Sequence, residues 1–518
     1  MIGRGARQRS AIATDDGVTP AGPRGERCHA VALTALVLAA SLLYAIVSLN
    51  RYRTWRASTY DLVIFDQAVR SYAQGRLPLA IVKGVHNGFG PDFSVLGDHV
   101  SPVLVLLAPL YLIYDDPRTL LVAQAVLLAC AIVPLWRFAR RELGVTAAYG
   151  AATAYALSWP VAGAVDFDFH EVAFAPLLLA VLFDQLSMLR RGVGRRWRLA
   201  LAAVAVLGVK EDLGLALAGV GLCLLLPYRG RRPERGDLLL GLGFLLGGPA
   251  YTAFATQVII PAFGGRPDYY WSYDHLGPTV PAALWHVVSQ PVDAWYTVTH
   301  PATKINTMLL LLAVGALTPL VSPYLAVTLP LLAERMLSES PGWWGTGAQY
   351  NAFLVIPLLC AGVDGAARIA RRRPSRPVAA AWTVTVVTVA AAALPSFAFG
   401  ALFRTSTWQQ TADMRAAAHA AAQIPDGALV ETASSIGPHL TSRTRVLLWD
   451  RTPRWAPWVV ADIARAQFPF CGIDDQRARV ELLRSHGYRI VFQEQDFVVL
   501  HDPSAVPELL APPAPPCT

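Results

Sequence analysis

Four short runs of this sequence place ionisable side chains inside or beside apolar stretches, where a charge needs a reason to be. The first is Tyr60-Asp61-Leu62-Val63-Ile64-Phe65-Asp66-Gln67. A spacing of five residues on a helix puts Asp61 and Asp66 about 140° apart, so one carboxylate can face a cavity while the other pairs or caps. Asp61 also precedes the apolar positions, where it could equally be an N-cap. The second run, Gly97-Asp98-His99-Val100-Ser101-Pro102, offers His99 as an acid, a base or a ligand, against the plainer reading of a turn histidine. The third is Asp166-Phe167-Asp168-Phe169-His170-Glu171. If it is extended, Asp166, Asp168 and His170 share one polar face of metal-ligand types. The fourth, Lys210-Glu211-Asp212, interrupts an apolar stretch. It reads either as a self-neutralising cluster or as a binding site between two half-length helices.

Charges at membrane depth cost about 2.5 to 3.5 kcal/mol each, which argues that these runs are used. The chemistry they fit is proton transfer by Asp61, Asp66, Asp168 or His170. Substrate binding falls to His99, Lys210, Glu211 and Asp212, and Asp168 with Glu171 would hold a divalent cation, Mg or Mn. Tyr270 and Trp271, in an aromatic and charged stretch from Arg266 to His275, suit stacking on a sugar or lying in a headgroup layer. Arg51, Arg53, Arg56, Arg70, Arg76 and Lys83 form a cationic shelf. That shelf suits a lipid phosphate, or it is simple interfacial snorkelling.

The elements that must position these residues are membrane helices. Of 518 residues, 54% are hydrophobic and only 15% charged, against about 25% charged in ordinary soluble domains. Apolar runs approach or reach the roughly 20 residues needed to cross a bilayer, the first over residues 30–49. The net charge of +8 comes from arginines clustered in short loops between these runs, a cytoplasmic-loop pattern that leaves nucleic acid without support.

Keeping each cluster inside threads the chain as an all-α polytopic membrane protein with about ten or eleven membrane helices. A cytoplasmic disordered arm spans residues 1–29, and the transmembrane domain spans 30–400. Spans are expected near 30–49, 119–136, 145–163, 172–189, 199–227 (out and back), 237–259, 305–320, 322–337, 351–367 and 378–400. Large outer loops fall at about 50–115 and 260–304, and all four ionisable runs then lie at the outer side of the plasma membrane.

Beyond the last span, residues 401–510 read as a small extracytoplasmic α/β domain, with strands near 428–431, 446–449, 458–460, 489–492 and 497–500. Pro425-Asp426-Gly427 marks a turn before the first strand, and 511–518 reads as a disordered proline-rich tail. Cys471 and Cys517 share the compartment that would allow a disulfide; whether they pair is left open by the sequence.

Several of these strings resemble a family of bacterial membrane proteins grouped as domain of unknown function 2079: YDLVIFDQAVRSYAQGRLP, GDHVSPVLVLLAPLY, DFHE at 168–171, KED at 210–212, LLAERMLS, QYNAFLVIPLL and PHLTSRTRVLLWD. The resemblance covers about residues 45–500. More distantly, the layout resembles the GT-C superfamily of membrane glycosyltransferases, which carry a key acid in the first outer loop, a second acid in the next, and often a soluble outer C-terminal domain. That resemblance matches Asp61 to the first acid and Asp166 or Asp168 to the second. It implies a membrane glycosyltransferase moving a sugar from a polyprenyl-phosphate donor to an envelope glycan or protein acceptor. The sequence departs from that pattern in lacking an adjacent acidic pair in the first motif. Two other classes fit the residues: a transporter or lipid flippase built around Lys210-Glu211-Asp212, and a non-catalytic envelope scaffold.

Overall fold

Away from water each backbone N–H and C=O must be paired within its own segment, so long apolar runs become helices. In the computed structural model, which describes residues 23–515 and Cys517, helices occupy every run read as a span. Residues 1–22 of the expected arm lie outside the described residues, as do 516 and 518. The first helix, Pro23–Arg53, takes in the arm's last seven positions.

Five helices among the described residues are long and apolar enough to cross a membrane: Arg24–Arg53, Arg118–Leu143, Glu171–Arg190, Arg235–Ala262 and Val378–Ser396. The other expected spans are shorter or broken. Val145–Leu157 stops at Ser158, whose extended backbone precedes Trp159 and Pro160 and starts a second helix, Trp159–Val165. Arg196–Leu207 and Leu213–Leu225 are separated by the turn that carries Lys210, Glu211 and Asp212. Ala302–Val314 and Leu325–Leu337 flank a tight reversal in which Leu317 adopts φ 57°. The apolar runs thus predict where helices form, while the polar turns cut several below spanning length.

The half-length helix Leu213–Leu225 is wedged between two neighbours by glycines. A methyl group at Gly214 would lie 2.5 Å from the Gly248 carbonyl oxygen, and one at Gly221 would lie 2.5 Å from that of Gly241. On the opposite side a methyl at Gly219 would come within 2.2 Å of the Ala326 oxygen. Only glycine allows backbones this close, which is how helices associate where water supplies no driving force.

The C-terminal strands appear as read, within one or two residues. β1 (Leu429–Thr432), β2 (Arg445–Leu448), β3 (Trp458–Asp462), β4 (Arg489–Glu494) and β5 (Phe497–His501) form one sheet in the order β2-β1-β3-β5-β4. β1 pairs in parallel with β2 and β3, whereas β5 is antiparallel to β3 and β4. Gly427, at φ 76°, supplies the turn before β1. Val430, Leu447, Val459, Val460 and Val499 are fully buried in the sheet.

Cys471 and Cys517 form a disulfide, which answers the pairing left open above. Residues 511–515 carry no helix or strand, and the Thr452 hydroxyl donates to the Pro512 carbonyl at 3.2 Å. The sheet domain docks on the first large loop. The Thr59 N–H donates to the Ser434 carbonyl at 2.7 Å, Gln67 Nε2 donates to the Val446 carbonyl at 3.1 Å, and His86 Nδ1 lies 2.8 Å from Asp450.

Candidate functional site

Asp61 sits on a single π-helical turn, Thr59–Val63, that leads into the helix Ile64–Ala73. The N-cap of that turn is Ser58, whose hydroxyl accepts the Tyr60 and Asp61 N–H groups at 3.1 and 3.3 Å. Asp61 is therefore released from the capping role its position allowed. The turn is fixed from behind as well. Ser58 N–H donates to Asp168 Oδ2 at 2.8 Å, and Asp168 Oδ1 receives Arg51 Nε at 3.3 Å. Arg51 comes from the end of the first helix and Ser434 from the sheet domain, so three separate elements hold the turn that presents Asp61.

The Asp61 carboxylate keeps about a quarter of its side-chain surface open, and its nearest ionic partner is His170 Nε2 at 3.5 Å. Burial alone would lower the His170 pKa, but the hydrogen bond and charge of Asp61, with Glu171 adding, raise it above the ordinary histidine value. Next along the chain, Glu171 is buried, with Oε1 3.9 Å from Lys210 Nζ and Oε2 left without a hydrogen-bond partner. Tyr350 lies within electrostatic reach of Lys210, Asp61, Arg335 and Glu171, its ring centre 5.8 Å from the Arg335 guanidinium. Arg335 is 6% exposed, packs its guanidinium 4.0 Å from the centre of the Phe353 ring, and leaves Nη1 unpartnered. Asp212, which feels Lys210 and Arg335, has a buried unpartnered Oδ1. The cluster thus combines an accessible carboxylate with His170, Lys210 and Arg335 as cationic groups.

Asp168 belongs to the frame behind this cluster. Its side chain has no exposed surface, and burial, with a contribution from Asp61, pushes its carboxyl up to about 6 despite Arg51 and the Ser58 N–H. The proposed Asp168–Glu171 metal pair is not assembled for coordination. Asp168 is committed to Arg51 and Ser58, Glu171 faces Lys210, and no group of three or more His, Cys, Asp or Glu side chains is placed to hold a metal ion among the described residues.

Asp66 and Arg70 lie apart from the cluster. Asp66 is fully buried and accepts from Arg70 at 2.7 and 3.1 Å, from Tyr111 at 2.7 Å and from Thr441 at 2.7 Å. Arg70 spends its Nε on Asp115 at 2.7 Å. Since Thr441 belongs to the sheet domain, this pair staples that domain to the loop.

His99, Glu211 and Tyr270 form a brace around the rim. His99 Nδ1 lies 2.8 Å from Glu211, which also accepts the Val100 N–H at 3.0 Å, and the imidazole stacks on Tyr270 with 4.9 Å between ring centres. Tyr270 donates to Asp98 at 2.6 Å, and Asp98 pairs at 2.9 Å with Lys83. Lys83 is buried among Tyr60, Tyr269 and Tyr270. Trp271 donates its indole N–H to the Gly277 carbonyl at 3.1 Å, so its edge is used in shaping the second loop.

The sequence reading missed Arg335 and the framing role of Arg51. Arg335 had a signal: Glu334-Arg335 is an ionisable pair inside a run read as a membrane span, and such residues are costly unless they face a polar cavity.

Residues 35–499 match the family described as "Predicted membrane protein (DUF2079)". No curated protein matches the chain. Among solved structures, the chain is similar to ArnT from Cupriavidus metallidurans in the apo state, at 13% identity and a TM-score of 0.47, covering 92% of this chain and 98% of that one. It is also similar to the archaeal oligosaccharyltransferase AglB from Archaeoglobus fulgidus in complex with an inhibitory peptide and a dolichol-phosphate. There the identity is 10% and the TM-score 0.43, over 92% of this chain and 76% of that one.

Proposed function

We propose that this chain, which belongs to the DUF2079 family of predicted membrane proteins, is a membrane glycosyltransferase that takes a sugar from a polyprenyl-phosphate donor and passes it to an envelope glycan or protein. The observation that carries this reading is one accessible carboxylate, Asp61, beside His170, in a cluster with Lys210 and with Arg335, whose Nη1 lacks a hydrogen-bond partner. A hydroxyl acceptor needs a base, and a departing lipid phosphate needs positive charge.

In the step proposed, Asp61 takes the proton of the acceptor hydroxyl as that oxygen bonds to the anomeric carbon. The bond from that carbon to the phosphate oxygen breaks, and the electron pair leaves with the lipid phosphate. Lys210, Arg335 and protonated His170 meet the charge that develops there, and Asp61 then returns its proton to water. Asp168 and Arg51 act as positioning residues by holding Ser58. The donor set at Asp168 and Glu171 does not fit a divalent cation, so no step runs through one. The cluster, the sheet domain and the two large loops face the outer side in this reading, with the N-terminus in the cytoplasm.

The test is Asp61→Asn in the purified full chain, assayed with a radiolabelled polyprenyl-phosphate sugar and an envelope extract as acceptor. Asn keeps the shape and removes the base, so turnover should fall about 10²- to 10⁴-fold with the melting temperature unchanged. Unaltered turnover in a folded D61N protein would end the assignment. Movement of the lipid-linked sugar across vesicle membranes without transfer would favour the transporter or flippase reading of the Lys210-Glu211-Asp212 turn.

A further inference from the structure

The candidate site sits at one end of the Glu171–Arg190 span, and an incompletely paired cation sits at the other. The regular helix Ala175–Arg190 has 16 residues, about 24 Å at 1.5 Å per residue. The two ends are therefore separated by nearly the thickness of a hydrocarbon layer.

At the far end, Arg190 is 6% exposed. Its guanidinium lies 4.4 Å from the centre of the Tyr228 ring and 5.2 Å from that of Tyr324. Nη2 makes one long bond, 3.4 Å, to the Leu226 carbonyl, while Nε and Nη1 have no hydrogen-bond partner. The Tyr324 hydroxyl is the one side-chain group within hydrogen-bonding influence of this guanidinium, and a buried arginine so incompletely paired is costly unless something else fills its donors.

Arg190 lines a cleft together with Leu226, Tyr228, Arg231, Arg232 and Asp237. Asp237 is already held by Arg196 at 2.8 Å, and Arg231 is engaged with Glu234 at 2.5 Å. Arg232 is exposed and makes no ion pair among the described residues. The cleft therefore has more positive charge than its own carboxylate answers, over an apolar floor. Simple snorkelling would leave an arginine head in solvent; here the head is stacked and enclosed.

We propose that this cleft binds a phosphate group, independently of the function proposed above. The Nε–Nη2 edge of a guanidinium presents two parallel donors that match two phosphate oxygens, and in Arg190 Nε is open while Nη2 is held only by the one long bond. The stacking tyrosines hold the plane of that fork, Arg232 closes over the ligand from the surface, and Leu226 accepts its apolar part. An anionic phospholipid headgroup and the phosphate of a water-soluble solute both carry this chemistry.

Native mass spectrometry of the full chain, released from nanodiscs of equal phosphatidylglycerol and phosphatidylcholine, distinguishes the two sources. For a headgroup site, the wild-type protein keeps phosphatidylglycerol preferentially. Arg232→Gln, an exposed change that spares the fold, reduces that retention about fivefold. Arg198→Gln, an exposed arginine at the same end of the bundle and outside the cleft, leaves it unchanged. For a soluble ligand, the lipid preference is absent, and inorganic phosphate raises the melting temperature of the detergent-purified wild type but not of R232Q. Arg190→Gln, if folded, abolishes either signal. Neither signal in the wild type, or equal losses in R232Q and R198Q, overturns the proposal, since the second result is general attraction to a basic surface.

Discussion

Burial raises the Asp168 carboxyl to about 6, whereas an unfolded chain leaves it near 3.8. The folded protein therefore holds that proton more tightly, and the associated stability is fully present below about pH 3.8 and lost as pH rises through about 6. Two pH units at about 1.36 kcal/mol each make this on the order of 3 kcal/mol. Asp168→Asn mimics the protonated side chain. Denaturant titrations of wild type and D168N should therefore diverge in the variant's favour between about pH 4 and 6, then run parallel. Parallel curves throughout would show that Asp168 is not perturbed by its surroundings. Residue types alone could not separate Asp61 from Asp66, because both are aspartates on the same apolar run. What separates them is a hydroxyl at Ser58 that frees the first and a threonine, Thr441, nearly four hundred positions away that consumes the second. Long-range partners of this kind leave no periodicity to read.

Helix positions were legible because an apolar run has one way to satisfy its backbone in lipid, and the strands because alternation and β-branched residues mark a sheet face. Helix lengths were not, since the break at Ser158 and the reversal at Leu317 depend on single backbone conformations. The sheet domain has a tie the sequence only allowed: the Cys471–Cys517 disulfide, which closes a separation of 46 residues. On a chain-entropy estimate a loop of that size contributes about 4 kcal/mol at most. Cys517→Ser should lower the melting temperature of the sheet domain and expose the tail to limited proteolysis. Reductant should do the same to wild type and nothing further to C517S. A wild-type melt unmoved by reductant would remove the disulfide from the stability of this domain.

At the scale of the whole molecule, arginines of separate loops gather at the Arg190 end of the Ala175–Arg190 helix, where Arg191 and Arg229 pair with Glu142 at 3.1 and 3.0 Å and Arg231 donates to the Leu189 carbonyl at 2.9 Å, whereas His170 and Glu171 of the Asp61 cluster precede its other end. If the positive-inside pattern sets orientation, a cysteine at exposed position 504 should react with a membrane-impermeant maleimide on intact cells, in a background lacking Cys28. One at exposed position 195 should react only after lysis. The reverse labelling would put the acceptor chemistry on the wrong side for a lipid-linked donor presented outside. The glycine contacts along Leu213–Leu225 bear on how far the wall beside the Lys210 turn can move. Lipid tails can rival a leucine for another leucine's company, yet they offer nothing to match a carbonyl already resting against a neighbouring Cα. The rod that follows the Lys210 turn is gripped on two flanks by close backbone contacts, with one thiol bond from Cys223 to the Pro323 carbonyl at 3.3 Å, and has little room to shift. A donor of the kind proposed would therefore have to use space already carved, because that wall has little freedom to step aside.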